Sequence, residues 1–271
     1  MRVGLTLPSF REEIDPSLDV ALSAERAGLD AVFAYDHLFR YGPGGEVRPA
    51  LELAPALGAL AAATDRIAIG SLVARATLRP PAVLANVFDS AARIAGDRVI
   101  AGLGAGDEES RDEMVTFGYE FGTMETRLAA LDAAVDAVAA RGVPVWVGGN
   151  PRYVAEATVR AGAWNRWGAT PDRFAEEHRT IAALAARIGA APVLATWGGL
   201  CVMAPTDAAA AEKAERLGAS PRTLVGSPAT MAERLRAYGE AGAGWVVLGP
   251  VDSSDPANAG LLGEVRERLA A

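Results

Sequence analysis

Short apolar runs alternate along the chain with longer stretches whose apolar residues recur at three- and four-residue spacing. That is the pattern of strand–helix units in a parallel sheet. Residues 3–7, 31–35, 67–73, 99–103, 143–147, 163–167, 193–203 and 245–248 read as eight strands. The spacing between and after them predicts helices over residues 15–27, 49–63, 81–95, 108–116, 125–140, 153–161, 171–188, 207–217, 230–241 and 261–269. Start and stop signals agree with this reading, as where Pro16 opens the first helix and Gly28 ends it. Eight strands, each followed by at least one helix, is the count of a (β/α)8 TIM barrel. An open doubly wound sheet is the rival, because local pattern says nothing of closure; barrels of roughly 250 residues are common, which favours the closed form. No linker or composition break divides the chain, so residues 1–271 read as one domain.

Composition narrows the chemistry. With Lys+Arg 26 against Asp+Glu 34 the net charge is −8, the wrong sign for a nucleic-acid footprint. One cysteine, Cys201, and two histidines, His37 and His178, leave no metal site of the cysteine- or histidine-rich kind. The apolar runs stop well short of the ~20 residues of a membrane span. The N-terminus starts directly in a strand-like run without a signal-peptide profile, so a soluble cytoplasmic protein is expected.

In a parallel barrel the functional groups gather where strands end. The second predicted strand ends in Asp36-His37, and an imidazole there can hydrogen-bond or exchange a proton near neutral pH. Asp36 is placed to hold its tautomer, although neighbouring side chains of an extended chain point apart. An ordinary loop histidine fits equally well. His178, in a charged helical stretch, reads as solvated. Gly70 and Ser71 would let a planar ligand approach the third strand, or simply satisfy packing. Gly104 and Gly106 clear space at the mouth after the fourth strand. Asp107 beyond them is a candidate acid or a routine helix cap. Val147-Gly148-Gly149-Asn150 leads almost directly into a helix, an arrangement that suits a phosphate or a plain tight turn, with Arg152 near enough to assist. Trp167 and Gly168 end the sixth strand, where an indole stacks on a ring or fills core. There is no G-x-S-x-G elbow, no Walker sequence and no dinucleotide G-x-G-x-x-G. This inventory suits holding a bulky phosphorylated cofactor that carries the chemistry itself.

The order of these strand ends resembles the bacterial-luciferase-like superfamily of flavin- and deazaflavin-dependent oxidoreductases over nearly the whole chain. The resemblance rests on VGLTLPS at 3–9, AERAGLDAVFAYDHL at 24–38, LGALAAATDRIAIGSLV at 57–73, RPPAVLAN at 79–86 and DRVIAGLGAG at 97–106. PVWVGGN at 144–150, AGAWNRWG at 161–168 and LVGSPATMAERLRAYGEAGAGWVVLG at 224–249 continue it. It implies a luciferase-like barrel with a cofactor ring across its mouth. His37 would contact the ring with support from Asp36, and Ser71, Leu72 and Val73 would back it, at a place where relatives often carry a non-proline cis peptide. Asp107 would match a proton-donating carboxylate. Gly148 and Gly149 would form the phosphate-side turn, and Trp167 with Gly168 the next contact loop. The insertion that relatives commonly carry before the fifth strand is shortened here, which opens the pocket or calls for cover from a partner subunit. A homodimer is one such expectation by analogy. Lysine occurs once, at Lys213, beside abundant arginine, the mark of a GC-rich genome in which the family's deazaflavin users are frequent. The leading expectation is therefore an oxidoreductase using coenzyme F-420 (F420) on a small organic substrate. An FMN-dependent monooxygenase and a non-catalytic ligand-binding barrel are the alternatives.

Overall fold

The computed structural model describes residues 1–10, 14–42 and 44–270. Its strands are β1 (Arg2–Thr6), β2 (Ala31–Ala34), β3 (Phe39–Tyr41), β4 (Val47–Pro49), β5 (Ala68–Arg75) and β6 (Val99–Gly104). They continue with β7 (Val145–Gly148), β8 (Ala163–Trp167), β9 (Leu194–Met203), β10 (Leu224–Gly226) and β11 (Trp245–Pro250). The helices are α1 (Asp15–Arg26), α2 (Leu53–Ala63), α3 (Pro81–Ala95), α4 (Arg111–Thr116) and α5 (Met124–Ala139). The remainder are α6 (Pro151–Ala161), α7 (Pro171–Arg187), α8 (Asp207–Arg216), α9 (Pro228–Glu240) and α10 (Ala257–Ala270). Strands β1, β2, β5, β6, β7, β8, β9 and β11 pair in parallel in that order, and β11 returns to β1 through Leu5↔Leu248. The β8–β9 ladder closes the cylinder at Asn165↔Thr196. This is the closed (β/α)8 barrel, and the open sheet is excluded.

Alternation along the strands builds two cores. Outward residues such as Val3, Val32, Ile69, Val147 and Val246 pack against the helices. The inward set of Ala31, Phe33, Leu72, Ile100, Trp146, Ala163, Trp245 and Val247 plugs the cylinder. Trp146 meets Trp245 edge-on with centroids 5.2 Å apart and Phe33 at 5.3 Å, while the Arg2 guanidinium covers Trp245 at the amino end. The carboxyl end is where a parallel barrel carries its functional groups.

Helix starts follow their side chains. Asn150, Thr170 and Ser227 each accept a first-turn amide, and proline follows each of them. Helix α2 begins later than expected, because Glu52 caps Ala54 N at 2.7 Å while Pro49 ends a strand. That strand belongs to the antiparallel hairpin β3–β4, and β10 pairs with the end of β9; neither was anticipated. Helix α10 starts at Ala257 rather than at 261. The link from α5 to β7 is the short turn over residues 140–144 around Gly142 (φ +74°), so no inserted wall stands there. Among the described residues no helix is long and apolar enough to cross a membrane, and no group of three His, Cys, Asp or Glu side chains is arranged to hold a metal ion.

Candidate active site

The carboxyl mouth has an apolar floor. Val73 and Trp167 are partly exposed there and rest on the inner plug. Four glycines make room for them. A β-carbon at Gly104 would lie 2.5 Å from Val73 Cγ2, and one at Gly148 2.7 Å from Val73 Cγ1. One at Gly198 would lie 2.4 Å from Trp167 Cε3, and one at Gly249 3.2 Å from Trp167 Cη2. The glycines therefore make room for two apolar side chains of the protein at this end of the barrel. Val73 reaches the mouth because β5 shifts register against β6 between Ser71 and Ala74, where the Leu72–Val73 peptide is cis. Ser71 is pinned away by Oγ donating to the Gly102 carbonyl at 2.7 Å, and Leu72 is buried in the plug.

His37 stands at the rim beyond β2, its side chain 35% exposed, with Phe10 at 5.2 Å and Tyr35 at 6.3 Å between ring centroids. Tyr35 donates to Thr6 Oγ1 at 3.1 Å, and burial pushes its phenol pKa up. Asp36 points the other way, as alternation requires. It accepts Arg79 Nη1 at 2.8 Å, Arg79 Nη2 at 3.0 Å and the Arg75 amide at 3.0 Å. Burial works against the Arg79 charge, but the hydrogen bonds and charges of Asp36 and Glu52 hold its pKa above the ordinary value.

The carboxylate that meets His37 is Glu113, on α4. Glu113 Oε1 lies 2.8 Å from His37 Nδ1 and accepts Arg75 Nη1 at 2.7 Å. Its Oε2 accepts the Leu38 amide at 2.7 Å and the Phe39 amide at 3.4 Å. Burial raises the Glu113 carboxyl, but the hydrogen bonds from His37 and Leu38 and the charges of His37 and Arg75 outweigh it, bringing the pKa down to about 2. Nothing local in the sequence marks Glu113. It sits in an acid-rich stretch, and only the fold carries it 76 residues along the chain to His37.

The other expected residues take varied positions. Asp107 is exposed at the rim and caps the turn Glu108–Ser110, accepting Ser110 N at 3.2 Å while Ser110 Oγ donates to its carbonyl at 2.6 Å. Gly106 (φ +75°) lies over the Arg75 side chain. Val147 is fully buried against the helices. Gly148 and Gly149 are partly exposed at the mouth. The Gly149 amide donates to the Asn165 carbonyl at 3.2 Å, and its own carbonyl accepts Trp164 Nε1 at 2.9 Å. At the start of α6 the Arg152 amide is taken by Asn150 Oδ1 at 2.9 Å, whereas the Arg152 side chain is exposed. Gly168 (φ +72°) turns the chain after Trp167. His37, Val73, Gly148, Gly149, Trp167 and Gly168 thus lie at the carboxyl ends of their strands, whereas Asp36 turns to Arg75 and Arg79, Ser71 and Leu72 are buried, and Val147 packs outward against the helices.

Residues 1–141 match the family model described as luciferase-like monooxygenase. The chain belongs to that family. Within the luciferase-like family it is 36% identical over 137 residues to an F420-dependent glucose-6-phosphate dehydrogenase of Microbacterium testaceum, covering 50% of this chain and 39% of that one. To the protein of the same description from Beutenbergia cavernae it is 42% identical over 85 residues, 31% of this chain and 25% of that one. The chain therefore spans less than half the length of these curated relatives. Among solved structures, an F420-dependent secondary alcohol dehydrogenase in complex with an F420–acetone adduct superposes with a TM-score of 0.81 at 16% identity, covering 99% of this chain and 98% of the other. A monooxygenase from Streptomyces bottropensis gives 0.78 at 17% identity over the full length of both. At such identities the likeness establishes the luciferase-like barrel itself.

Proposed function

We propose that this protein is an F420-dependent oxidoreductase that moves a hydride to or from a small organic substrate, with His37 as the proton-exchanging residue at its mouth. The observation that carries the reading is the floor of Val73 and Trp167, raised on four glycine positions and open to the mouth. A planar fused ring needs a flat apolar surface of that kind, and the residues fit one. The names of the curated relatives support the deazaflavin over FMN. When bound, the deazaflavin supplies the hydride-transfer chemistry. The protein's share is orientation. Val73 and Trp167 set the plane of the ring, Gly148 and Gly149 leave the far rim open, and the exposed Arg152 offers positive charge to a phosphate. His37, partly exposed at the same end of the barrel, holds or takes a proton there. Asp107, exposed at the same rim, is the candidate partner for a substrate polar group.

The test is a fluorescence titration of the purified protein with F420 and with FMN. Of the five tryptophans, Trp146, Trp164, Trp197 and Trp245 are all buried, and Trp167 alone is partly exposed. Quenching by F420 at low micromolar concentration, absent with FMN and largely lost in Trp167→Phe, is the expected result. Quenching by FMN alone would point to the monooxygenase reading, and binding of neither to a ligand-binding barrel of another kind.

A further inference from the structure

Glu113 makes four contacts that together decide how His37 presents itself, and they lead beyond the function proposed above. Two of its donors, the amides of Leu38 and Phe39, belong to the backbone just past His37, and the third is the His37 ring. The fourth, Arg75, shares the oxygen that meets the ring. One carboxylate thus clamps both the main chain and the imidazole of the same residue. An ionised carboxylate accepts and never donates, so the ring nitrogen facing it must carry the proton. That nitrogen is Nδ1. In the neutral ring the lone pair then falls on Nε2, on the far side of a ring that is partly exposed.

We infer that Glu113 is a positioning residue that locks His37 in the Nδ1–H form, so that Nε2 is the atom that exchanges a proton with substrate. The inference rests on the proposed role of His37 at the mouth. Among the described residues, the groups packed around the ring leave no competitor for Nδ1. Phe10 and Tyr35 offer ring contacts, with the Tyr35 hydroxyl donated to Thr6 and the Arg40 guanidinium on the Phe10 ring at 5.6 Å. Arg75, 4% exposed, carries no acceptor and balances the Glu113 charge. Asp36, the sequence neighbour, is engaged by Arg79 and by the Arg75 amide. The geometry is that of a base oriented by a third group, and the orienting carboxylate is the buried one.

The chain has only one other histidine, so the ring can be observed directly. His178 lies at 3.4 Å from the Ala241 carbonyl, away from the mouth, and His178→Gln leaves a single imidazole signal. Ring 15N shifts of the labelled His178→Gln protein with a neutral ring should show a protonated Nδ1 and an unprotonated Nε2. In Glu113→Gln an amide NH2 must face either His37 and Arg75 or the Leu38 and Phe39 amides, all of them donors, and the ring should shift toward the Nε2–H form that free imidazole side chains prefer. F420 affinity in that variant should fall less than in His37→Ala, because the ring and the floor residues are still present. An Nε2–H signal in the parent protein, or an unchanged Nδ1–H signal in Glu113→Gln, overturns the assignment. If Glu113→Gln does not fold, the parent spectrum alone decides. Failure of F420 to bind a protein whose ring is Nδ1–H would sink the cofactor proposal and leave the tautomer assignment standing.

Discussion

Acid titration tests the Glu113 network quantitatively. The carboxyl is buried, and its pKa falls from an ordinary value of 4.5 to about 2 in the folded chain. Because the folded value is the lower one, the network stabilises the protein above pH 4.5 and loses that contribution as pH falls toward 2. The shift corresponds to about 3 kcal/mol at neutral pH at 1.36 kcal/mol per unit. The same linkage leaves roughly 2 kcal/mol at pH 3.5 and about 1 kcal/mol at pH 3. Glu113→Gln imitates the protonated carboxyl, so the difference between parent and variant isolates this group from the other carboxylates. Urea unfolding followed by circular dichroism at pH 7, 5, 4 and 3.5 should give a gap of about 3 kcal/mol that is flat down to pH 5 and narrows below it. A gap that is the same at pH 3.5 as at pH 7 would refute the assignment of Glu113 as the strongly held anion.

Three further outcomes follow from the geometry of the mouth. Gly104→Ala should destabilise by ~1–3 kcal/mol through overpacking on Val73, and Val73→Ala should relieve most of that cost in a double-mutant cycle; additive effects would show that the two positions do not touch. His37→Ala should weaken F420 binding in the fluorescence titration, whereas His178→Ala should not; equal behaviour of the two removes His37 from the site. Gly148→Val should raise the F420 dissociation constant about tenfold, or ~1.4 kcal/mol, and unchanged binding would place the ligand elsewhere.

The barrel was legible because strand and helix signals repeat eight times in the same order and reinforce one another. Proline at the starts of α1, α3 and α7 and glycine at the ends of α1 and α6 mark boundaries that the structure keeps to within a residue or two. The β3–β4 hairpin escaped because each strand has three residues, too few for alternation to register, and Pro49 reads equally well as a helix start. Strand β10 is as short and exists only because β9 runs on past its barrel neighbours to Met203. The mouth was half legible. Strand ends can be counted, so His37, Gly148 and Trp167 could be assigned to one rim. Which way a side chain turns depends on partners distant in sequence. Asp36 stands next to His37 but serves Arg75 and Arg79, while Glu113 has no local feature that distinguishes it from Glu108 or Glu109 beside it.

The glycines of the mouth show why position alone underdetermines a site. A glycine at an inward strand end looks like space left for a ligand, and Gly104 and Gly148 both invite that reading. In the folded barrel the space belongs to Val73, as that at Gly198 belongs to Trp167. On the proposed function, the ligand surface is thus made one step removed, by side chains for which the glycines leave room. Such a floor is apolar, and contact with it fixes the plane of a ring without fixing its rotation within that plane. Rotation has to be set at the rim, by groups well separated around it. His37 after β2 and the Gly148–Gly149 turn after β7 stand three strands apart around the cylinder, far enough to hold two ends of one elongated molecule. It follows that losses at the floor and at the rim should differ in kind. Floor substitutions should weaken every flat ligand alike, whereas His37→Ala should weaken F420 more than a bare deazaflavin ring without its phosphate-bearing tail, since the tail no longer aligns the ring against a partner.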